Sequence, residues 1–413
     1  MNNTEPSVKS FVPVILGSDV NAYGIARSFY EAYGIQSLVV CQELWVVCQN
    51  TKFISKAIVE PNLEKDEAFV ETLKKLSASF SESETNLILI PCGDAYSELI
   101  SRNQKLIEDK YHFITVDYKL HQQLNRKQTF YEICDKYGLD HPTTWVITKV
   151  NYKEPIADLV FPLVIKPSNS IMYWDTTFPG KRKAFMARDE KEYVKILDAI
   201  YHSTYTDAFI LQEFIPGERE GELHFYSDKN RKVKFMQFDE MILGSPTPDG
   251  IGSHTAETPI SEPELAERFR TFLDDIGYRG YGNIDFKYDP RDNKWKVFEI
   301  NLRPARCSYA MTAAGHNLAE FIVNDLILNQ PLLFTVATEQ VLYTLVSDIL
   351  LKKYASKEWL PIIDKLLKSK PVVRHYLPKE DMNALRLIDH TRDQVRYFYK
   401  YRKYFGKSMI TDL

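Results

Sequence analysis

An acidic, an amide and a basic side chain alternate within an otherwise apolar stretch of this chain, KVFEINLRPARCS at residues 296–308. Glu299, Asn301 and Arg303 are spaced two apart, so in a β-strand their side chains would share one face. The opposite face would be apolar, formed by Phe298, Ile300 and Leu302. A carboxylate removed from water costs several kcal/mol unless it is compensated. The pattern therefore indicates either a solvated strand face or a face that holds a cation.

A second alternation of polar and apolar residues precedes this stretch, in YGNIDFKYD at residues 281–289. The turn sequence PRDN separates the two segments, which predicts an antiparallel hairpin. A three-residue loop would place Asp285 opposite Glu299 and Asn283 opposite Asn301, with opposed side chains about 5 Å apart. Oxygen atoms of these residues suit Mg²⁺, usually together with substrate phosphates. We therefore predict a metal site of Asp285, Glu299 and Asn301; a one-residue change of register, or an outward solvated face, would leave no such site.

Two lysines carry positive charge at places where phosphate could bind. Lys166 lies in the apolar segment FPLVIKPS at 161–168, a predicted strand, and Lys127 lies near the start of a helix predicted at 126–138. A lysine in a buried strand otherwise pairs with an acid or extends to solvent, and one at a helix start is usually solvated. Each lysine therefore has a structural alternative to a phosphate-binding role.

The segment LQEFIPGERE at residues 211–220 combines a predicted strand with a Pro-Gly turn and following acids. Backbone N–H and C=O groups at such a strand end can hydrogen-bond a flat heteroaromatic base. An acid just beyond can accept from ribose hydroxyl groups. The segment is therefore a candidate nucleotide-binding turn, and its alternative is a surface turn with solvated acids.

The composition is that of an ordinary globular protein. The 413 residues are 44% apolar and 26% charged with a formal net charge of −4, so overall charge gives no support to nucleic-acid binding. No apolar run approaches the roughly 18 residues that a membrane span needs, and the first residues lack the order of a signal peptide. The 5 cysteines are scattered without a CxxC pair, which favours reduced thiols. We therefore expect a cytoplasmic protein.

The elements that would position the candidate residues change along the chain. Strands and helices alternate over residues 1–120, which predicts an open, mostly parallel α/β sheet with ligands at its carboxyl edge. Residues 121–330 predict an α+β domain, and residues 331–413 are predicted to be mostly helical. The individual predictions are strands at 12–16, 38–41, 87–94 and 113–116, a hairpin at 222–238, a helix at 20–33 closed by Gly34, and a helix at 261–277 capped by Ser261 and Glu264 and ended by Gly277.

The segment RDQVRYFYKYRKYFGK at residues 392–407 combines six basic residues and one acidic residue with many aromatic ones. Such a pattern is typical of a helix that contacts an anionic membrane or an anionic substrate. The alternative is a helix whose aromatic side chains pack on the protein body while its cations are solvated. Weak association of residues 391–407 with a membrane surface is therefore one hypothesis.

Taken in order, Lys127, Lys166, QEFIPG, DFKYD and EINLR resemble the ATP-grasp superfamily of carboxylate–amine ligases over residues 10–330. The resemblance implies ATP and two Mg²⁺ ions as cofactors. It also implies three regions: a pre-ATP-grasp α/β domain at 1–120, a two-lobed α+β ATP-grasp domain at 121–330 with a lid lobe at about 143–207, and a helical C-terminal extension at 331–413. Within the superfamily, the chain is most similar to the D-aspartate ligases, through segments such as ILGSDVNAYGIARSFYEAYG and YDPRDNKWKVFEINLR.

The resemblance implies that two groups of residues bind ATP and its metal ions. The first group would contact the phosphates or hold Mg²⁺: Lys127, Lys166 and, in a glycine-poor lid loop, Lys183, with Asp285, Glu299 and Asn301 as the metal ligands. The second group would bind the nucleoside: Gln212, Glu213, Phe214 and Ile215 as the adenine hinge, and Glu218 or Glu220 at the ribose.

The resemblance also implies a substrate side of the site. Arg303 would face the carboxylate that receives the phosphate and would act as a catalytic residue together with Lys166. The amino-acid pocket would include Arg306, Ser308 and His254, and His254 is also a candidate base for the attacking amine.

The D-aspartate ligases activate the side-chain carboxylate of D-aspartate and join it to the lysine ε-amine of a cytoplasmic peptidoglycan precursor. The resemblance implies the same reaction here, with a small amino acid and the UDP-MurNAc-pentapeptide as partners. Two alternatives stay open: another ATP-grasp ligase acting on L-amino acids or dipeptides, and a nucleotide-binding module without catalysis.

Overall fold

Three β-sheets organise the part of the chain that the computed structural model describes, namely residues 10–81, 85–154, 156, 158–168, 173, 176–182, 184–247, 250, 252–369, 372–374 and 378–406. One sheet is parallel with five strands, one is antiparallel with four, and one is mixed with eight. No helix within these ranges is long and apolar enough to cross a membrane.

The five-stranded sheet has the strand order β3-β2-β1-β4-β5, as expected for an open α/β sheet. Its strands are β1 (Ser10–Leu16), β2 (Ser37–Cys41), β3 (Ile54–Val59), β4 (Thr85–Pro91) and β5 (Tyr111–His112). The helices that accompany it are α1 (Val20–Tyr33), α2 (Asp66–Ser77) and α3 (Asp94–Ile107). The predicted helix at 20–33 is confirmed: Asp19 accepts a hydrogen bond from the Ala22 N–H at its start, and Gly34 ends it with a φ of 68°.

Two parts of this sheet differ from the prediction. Strand β3 and helix α2 were not predicted, because β3 is an edge strand whose side chains are half-buried or exposed and lack a continuous apolar run. The strand predicted at 113–116 is wrong, since β5 ends at His112. The Val116 carbonyl accepts hydrogen bonds from Ser101 and Gln104 of α3 instead of from a neighbouring strand.

The four-stranded sheet carries Lys166, one of the lysines predicted to bind phosphate. Its order is β6-β9-β7-β8, and all its pairs are antiparallel. The strands are β6 (Thr144–Ile147), β7 (Leu163–Pro167), β8 (Phe185–Ala187) and β9 (Phe209–Glu213). Helices α4 (Tyr118–Asn125) and α5 (Lys127–Lys136) precede the sheet, and α6 (Glu190–Tyr201) packs against it. Lys166 therefore lies on β7, and Gln212 lies on β9.

The eight-stranded sheet is the largest element of the fold. Five of its strands are β10 (Glu220–Ser227), β11 (Val233–Gly244), β12 (His254–Ile260), β13 (Gly280–Asp289) and β14 (Lys294–Asn301). They run in the order β14-β13-β10-β11-β12, and the predicted hairpin at 222–238 is formed by β10 and β11. Side chains of α5 and of α7 (Pro263–Asp275) share the apolar core of this sheet.

The start of α7 differs from the prediction, whereas its end agrees with it. The N-cap residue is Glu262, without a side-chain cap, so the predicted capping by Ser261 and Glu264 is wrong. Pro263 accounts for the start, because its φ suits the first helical position and its missing N–H needs no partner there. Gly277 follows the helix with a φ of 69°, as predicted.

The C-terminal part of the chain contributes helices and also completes the large sheet. Its strands are β15 (Thr335–Ala337), which pairs with β11, and β16 (Leu342–Thr344) and β17 (Val372–Arg374), which extend the sheet beyond β12. Its helices are α8 (Tyr309–Ala313), α9 (Leu318–Leu326), α10 (Asp348–Tyr354), α11 (Leu360–Ser369) and α12 (Ala384–Tyr404). The predicted fold class is confirmed, while the bounds 1–120, 121–330 and 331–413 stay predictions.

Candidate active site

The hairpin of β13 and β14 brings the predicted metal ligands together. Asp285 pairs with Glu299, and Asn283 pairs with Asn301, as predicted. The connecting loop nevertheless has four residues, 290–293, so the predicted three-residue loop is wrong. A feature other than the loop must therefore produce the observed pairs.

A β-bulge in β14 produces these pairs. Phe286 pairs with Val297 while Asp285 pairs with Glu299, so Phe298 is an extra residue of β14. The Phe298 side chain is only half-buried, and its ring centroid lies 4.5 Å from the Lys166 Nζ. The prediction that Phe298 shares the apolar face with Ile300 is therefore wrong.

The apolar face of the hairpin accounts for the alternation of residue types. Ile284, Phe286, Val297 and Ile300 are all buried in the core that the sheet shares with α5 and α7. A one-residue slip of either strand would expose these side chains, at a cost of about 1.5–3 kcal/mol for each. Burial of this face therefore keeps the acids of the hairpin on the other face.

The polar face continues across the sheet as a row of carboxylates. Glu222 of β10 pairs with Asp285, and Asp239 of β11 pairs with Glu222, so these acids and Glu299 lie side by side on four neighbouring strands. Burial raises the pKa of Asp285 well above its ordinary value, and the charges of Glu222 and Glu299 raise it further. This face of the sheet therefore carries an excess of negative charge. Its oxygen donors fit Mg²⁺, which Asp285, Glu299 and Asn301 could hold.

A lysine lies at the outer end of this row. Lys127 is the first residue of α5, and its Nζ is 2.5 Å from Glu299 Oε2. Next to this pair, Asn301 Nδ2 donates to Asn283 Oδ1 at 2.8 Å and lies 3.5 Å from Asp285 Oδ2. The predicted phosphate-binding lysine and the predicted metal ligands are therefore direct neighbours.

Lys166 is connected to the hairpin by a chain of hydrogen bonds. Its Nζ donates to Gln212 Oε1 at 3.2 Å, and Gln212 Nε2 donates to the Tyr131 hydroxyl at 2.8 Å. The Tyr131 hydroxyl in turn donates to the Phe298 carbonyl at 2.7 Å. The buried Gln212 side chain therefore links the four-stranded sheet to the bulge of β14. Because this side chain is engaged within the protein, only the backbone of Gln212 is available to contact a nucleotide.

The predicted hinge follows β9 and is held by the surrounding chain. Glu213 accepts a hydrogen bond from the Thr143 N–H at 3.1 Å and forms an ion pair with Arg291 at 2.5 Å. Phe214 is half-buried, and Ile215 is buried. The side chain of Glu213 is therefore engaged within the protein.

The predicted ribose acids differ in their surroundings. Glu218 is exposed, whereas Glu220 is half-buried at the start of β10, with Lys287 Nζ 3.9 Å from its Oε1. Lys183, the third predicted phosphate ligand, lies outside the described residues.

Arg303 connects the hairpin with the five-stranded sheet. Its Nε lies 2.9 Å from Oδ1 of Asp94, the first residue of α3, which follows β4. Its backbone carbonyl accepts a hydrogen bond from Asn283 Nδ2 at 3.0 Å. The guanidinium is therefore held near the carboxyl edge of the parallel sheet, where open sheets place their ligands.

Two further predicted substrate residues follow Arg303 and contact other parts of the fold. Arg306 Nη2 lies 3.5 Å from the Tyr397 hydroxyl of α12. The buried Ser308 hydroxyl donates to Asn21 Oδ1 of α1 at 3.1 Å. Ser308 is therefore close to the same edge of the parallel sheet, because α1 follows β1, whereas Arg306 contacts the C-terminal helix.

His254 lies at the start of β12, not in a loop, and is buried. Its Nδ1 is 2.7 Å from Glu257 Oε2. Burial lowers the pKa of His254, but the carboxylates of Glu257 and Glu222 outweigh this effect and raise it to about 10. The imidazole is therefore protonated at neutral pH, which disfavours its predicted role as a base.

The comparison with curated proteins gives a close relative. The chain is 36% identical over 342 residues to a D-aspartate ligase of Enterococcus faecium (strain Aus0004), covering 81% of this chain and 80% of that protein. No protein-family model matches the chain. The chain belongs to the D-aspartate ligase family. It is an ATP-dependent carboxylate–amine ligase, which forms an amide bond and converts ATP to ADP and phosphate.

Solved structures show the ATP-grasp fold of this ligase. An N5-carboxyaminoimidazole ribonucleotide synthetase in complex with ADP has a TM-score of 0.62 at 14% identity and covers 95% of this chain and 98% of its own. The biotin carboxylase domain of the Hydrogenobacter thermophilus 2-oxoglutarate carboxylase, with bound MgADP, has a TM-score of 0.59 at 16% identity and covers 79% of this chain and 72% of its own. ATP and Mg²⁺ are thus general cofactors of this fold.

Several polar residues of the ligase site were not predicted from its sequence. The sequence prediction places Glu222 only in a hairpin, although its position in ELHFYSD puts it on the same strand face as His224. Asp94 and Asn21 follow strands of the parallel sheet, and residues at this position often belong to ligand sites of open α/β sheets. Which residue each of them would contact depends on how the sheets pack together, and strand periodicity carries no information on that packing.

The chain of hydrogen bonds through Tyr131 generates a prediction for the ligase. Replacing Tyr131 by Phe removes the hydroxyl and leaves Gln212 Nε2 buried without this acceptor, at a cost of about 1–3 kcal/mol. We expect the thermal midpoint of Tyr131→Phe to fall by several degrees and its KM for ATP to rise. Tyr137→Phe is the matched control, because the hydroxyl of this half-buried tyrosine has no hydrogen-bond partner among the described residues. Equal midpoints and equal KM values for the two variants would contradict the linking role of Tyr131.

Proposed function

We propose that this ligase activates the side-chain carboxylate of D-aspartate and joins it to the lysine ε-amine of UDP-MurNAc-pentapeptide. The observation that carries the proposal is the pairing of Asp285 with Glu299 on a strand that leads directly to Arg303. The 36% identical relative supports the choice of D-aspartate. In this proposal the metal-binding carboxylates and the guanidinium act on one reacting phosphate.

The first step joins two anions and so depends on positive charge. A carboxylate oxygen attacks the γ-phosphorus of ATP, the bond from that phosphorus to the bridging oxygen breaks, and ADP leaves. Mg²⁺, when bound by Asp285, Glu299 and Asn301, would offset charge on the phosphates. Two ions are proposed here. Lys127 and Lys166 add positive charge, and Lys127 would exchange Glu299 for a phosphate oxygen when ATP enters.

The nucleoside part of ATP is assigned to the turn after β9. The backbone of Gln212, Glu213, Phe214 and Ile215 would bind adenine, because the Gln212 and Glu213 side chains are already hydrogen-bonded within the protein. Glu218 or Glu220 would accept from the ribose hydroxyl groups. Lys183 is proposed as a further phosphate ligand on the basis of the sequence.

The second step forms the amide bond. The amine attacks the acyl carbon and loses a proton, and phosphate leaves with the oxygen that it received from aspartate. Arg303 would hold that phosphate, while Arg306, Ser308 and His254 would bind the amino acid. Because His254 carries a positive charge at neutral pH, we assign it to an anionic group of the substrate instead of to the proton of the amine.

Trapping the acyl phosphate tests the proposed substrate. We expect purified protein with ATP, Mg²⁺ and hydroxylamine to form a hydroxamate with D-aspartate and not with L-aspartate, D-alanine or L-amino acids, since hydroxylamine replaces the amine. A signal with a different acid would keep the ligase and contradict the assignment of D-aspartate. No signal with any acid, although ATP binds, would favour the nucleotide-binding module.

The carboxylate row predicts opposite effects of one substitution on activity and on stability. Asp285→Asn removes a metal ligand, so we expect ligation to fall at least about 100-fold. It also removes a half-buried charge that Glu222 and Glu299 repel, so without Mg²⁺ we expect a higher thermal midpoint than that of the wild type. Because the pKa of Asp285 is raised in the folded state, the wild type gains stability on protonation, and the difference should shrink as the pH falls.

Asp275→Asn is the matched control for this experiment, because Asp275 is exposed at the end of α7. We expect it to change neither ligation nor the thermal midpoint. Full activity of Asp285→Asn would show that the metal assignment is wrong. A lower midpoint of Asp285→Asn would show that its carboxylate is stabilised by the fold.

A second proposal concerns the outer face of α12. Its inner face packs on the protein, since Tyr401 is buried and its hydroxyl donates to the Gly244 carbonyl at 2.8 Å. Its outer face exposes apolar side chains at helical spacing, namely Leu385, Ile388, Val395 and Tyr399. Cations surround them: Arg392, Arg396, Lys400, Arg402 and Lys403. We propose that this face contacts an anionic lipid surface, because the apolar side chains would enter the interface while the cations bind headgroups.

Vesicle co-sedimentation tests this second proposal. We expect the protein to sediment with phosphatidylglycerol vesicles at low salt and not with phosphatidylcholine vesicles, and the Val395→Ser/Tyr399→Ser variant to lose most of this binding. Leu106→Ser, at an exposed apolar residue of α3, is the control that should leave it unchanged. Equal sedimentation of all three proteins would contradict the proposal. A raised acceptor KM without any vesicle binding would assign the cations to the UDP-linked substrate instead.

A further inference from the structure

Strands β10, β11 and β12 carry a buried cluster of acids and histidines next to the carboxylate row. We call it the inner cluster, and its members are Glu222, His224, Asp239, His254 and Glu257. The relative exposure of these residues ranges from 0% to 7%. The inner cluster is therefore shielded from water, and its charges must be compensated within the protein.

Three side chains of the inner cluster converge on one small volume. His224 Nε2 lies 3.9 Å from Glu257 Oε1 and 4.0 Å from Glu222 Oε2. One ligand atom of each of these residues lies within 4.8 Å of the other two. Glu222 and His224 are two apart on β10, and Glu257 is on β12, so a sheet with paired strands on both sides holds all three.

Two of the converging atoms, His224 Nε2 and Glu257 Oε1, are fully buried. Glu257 Oε1 has no hydrogen bond to any described residue, and His224 Nε2 forms a 3.3 Å ion pair with Asp239 Oδ2 that lacks hydrogen-bond geometry. The other oxygen of Glu257 is bound by His254 Nδ1 at 2.7 Å, so Oε1 is the oxygen left for a ligand. Buried polar atoms are usually satisfied, because leaving one unsatisfied costs about 1–3 kcal/mol. A buried carboxylate oxygen without a partner, next to an imidazole nitrogen whose recorded contacts are with carboxylates, indicates a shared ligand that accepts electron pairs from both.

The charge of the inner cluster has the sign that a cation requires. The inner cluster contains three carboxylates, those of Glu222, Asp239 and Glu257. Within the described residues, these carboxylates form ion pairs with histidines but not with lysines or arginines. Gln237 Nε2 donates to both oxygens of Asp239, at 3.1 and 2.9 Å, and so orients that carboxylate beside His224. The ligand atoms are therefore held in place by neighbours that are not ligands themselves, as is common around protein metal sites.

We propose that Glu222, His224 and Glu257 bind one divalent transition-metal ion, with Asp239 beside them as a further oxygen donor. A mixed set of one imidazole and carboxylates suits Zn²⁺ or Mn²⁺, whereas Mg²⁺ prefers oxygen ligands alone. The site differs from the proposed nucleotide-binding metal site in its donors and in its strands. Because Glu222 pairs with Asp285, the ion would lie beside that site and offset the repulsion within the carboxylate row.

Metal analysis of the full chain tests this proposal. We expect protein purified without chelator and dialysed against Mg²⁺ to retain about one Zn²⁺ or Mn²⁺ per chain. Protein stripped by chelator should take up Co²⁺ with visible d–d absorption, and its thermal midpoint should rise on addition of Zn²⁺ or Mn²⁺. The Co²⁺ measurement uses the wild type, so it does not depend on whether a variant folds.

Variants assign the ion to these residues. We expect His224→Gln and Glu257→Gln to weaken Zn²⁺ or Mn²⁺ binding at least about 10-fold. His316→Gln, at a histidine outside the inner cluster, should not weaken it. Asp285→Asn should lose ligation yet keep this ion, so a failure of the proposed function and a failure of this inference are separable. Wild-type protein that retains far less than one ion and shows no Co²⁺ absorption would overturn the proposal, as would full binding by His224→Gln.

Discussion

The repulsion between closely spaced carboxylates on one sheet face is the constraint on which the rest of the site depends. Asp285 has Glu299 on one side and Glu222 on the other, and partial burial removes much of the water that would screen their charges. Such a row persists because the opposite face of the same strands is buried in an apolar core. The energy of that core therefore holds acids at distances that they would not adopt by themselves, and the result is a face with a strong preference for cations.

Two acids of the carboxylate row meet cations from different parts of the chain. Lys127 reaches Glu299 from the start of α5, and His254 lies close to Glu222 from β12. Arg303, which continues β14, is instead held by Asp94 of the parallel sheet. The contacts of Lys127 and Arg303 join the large sheet to other elements and so position those elements relative to it, whereas the contact of His254 lies within the large sheet.

The sequence predicts the pairs of the hairpin correctly, although for a partly wrong reason. Alternation of polar and apolar residues identifies the face of Asp285, Glu299 and Asn301, because strand periodicity is a local property. The bulge at Phe298 cannot be predicted from strand periodicity alone. It compensates for a loop that is one residue longer than predicted, and the half-buried Phe298 ring contacts Lys166 of another sheet. Strand β3 and the inner cluster were missed for related reasons. An edge strand lacks an apolar run, and the approach of His224 to Glu257 depends on the order of strands that are separate in the sequence.

The bulge also connects the predicted metal ligands with the predicted nucleotide-binding residues. Without an extra residue in β14, the Phe298 carbonyl would have a place in the ladder with β13; here it accepts the Tyr131 hydroxyl, which in turn binds Gln212. The strand of the predicted metal ligands is thereby connected to the strand that precedes the predicted adenine hinge. Lys166 contacts both, through the Gln212 amide and the Phe298 ring. A change in the position of β14 would therefore affect the predicted hinge and the predicted phosphate-binding lysine together, as the alignment of one nucleotide with one carboxylate would require.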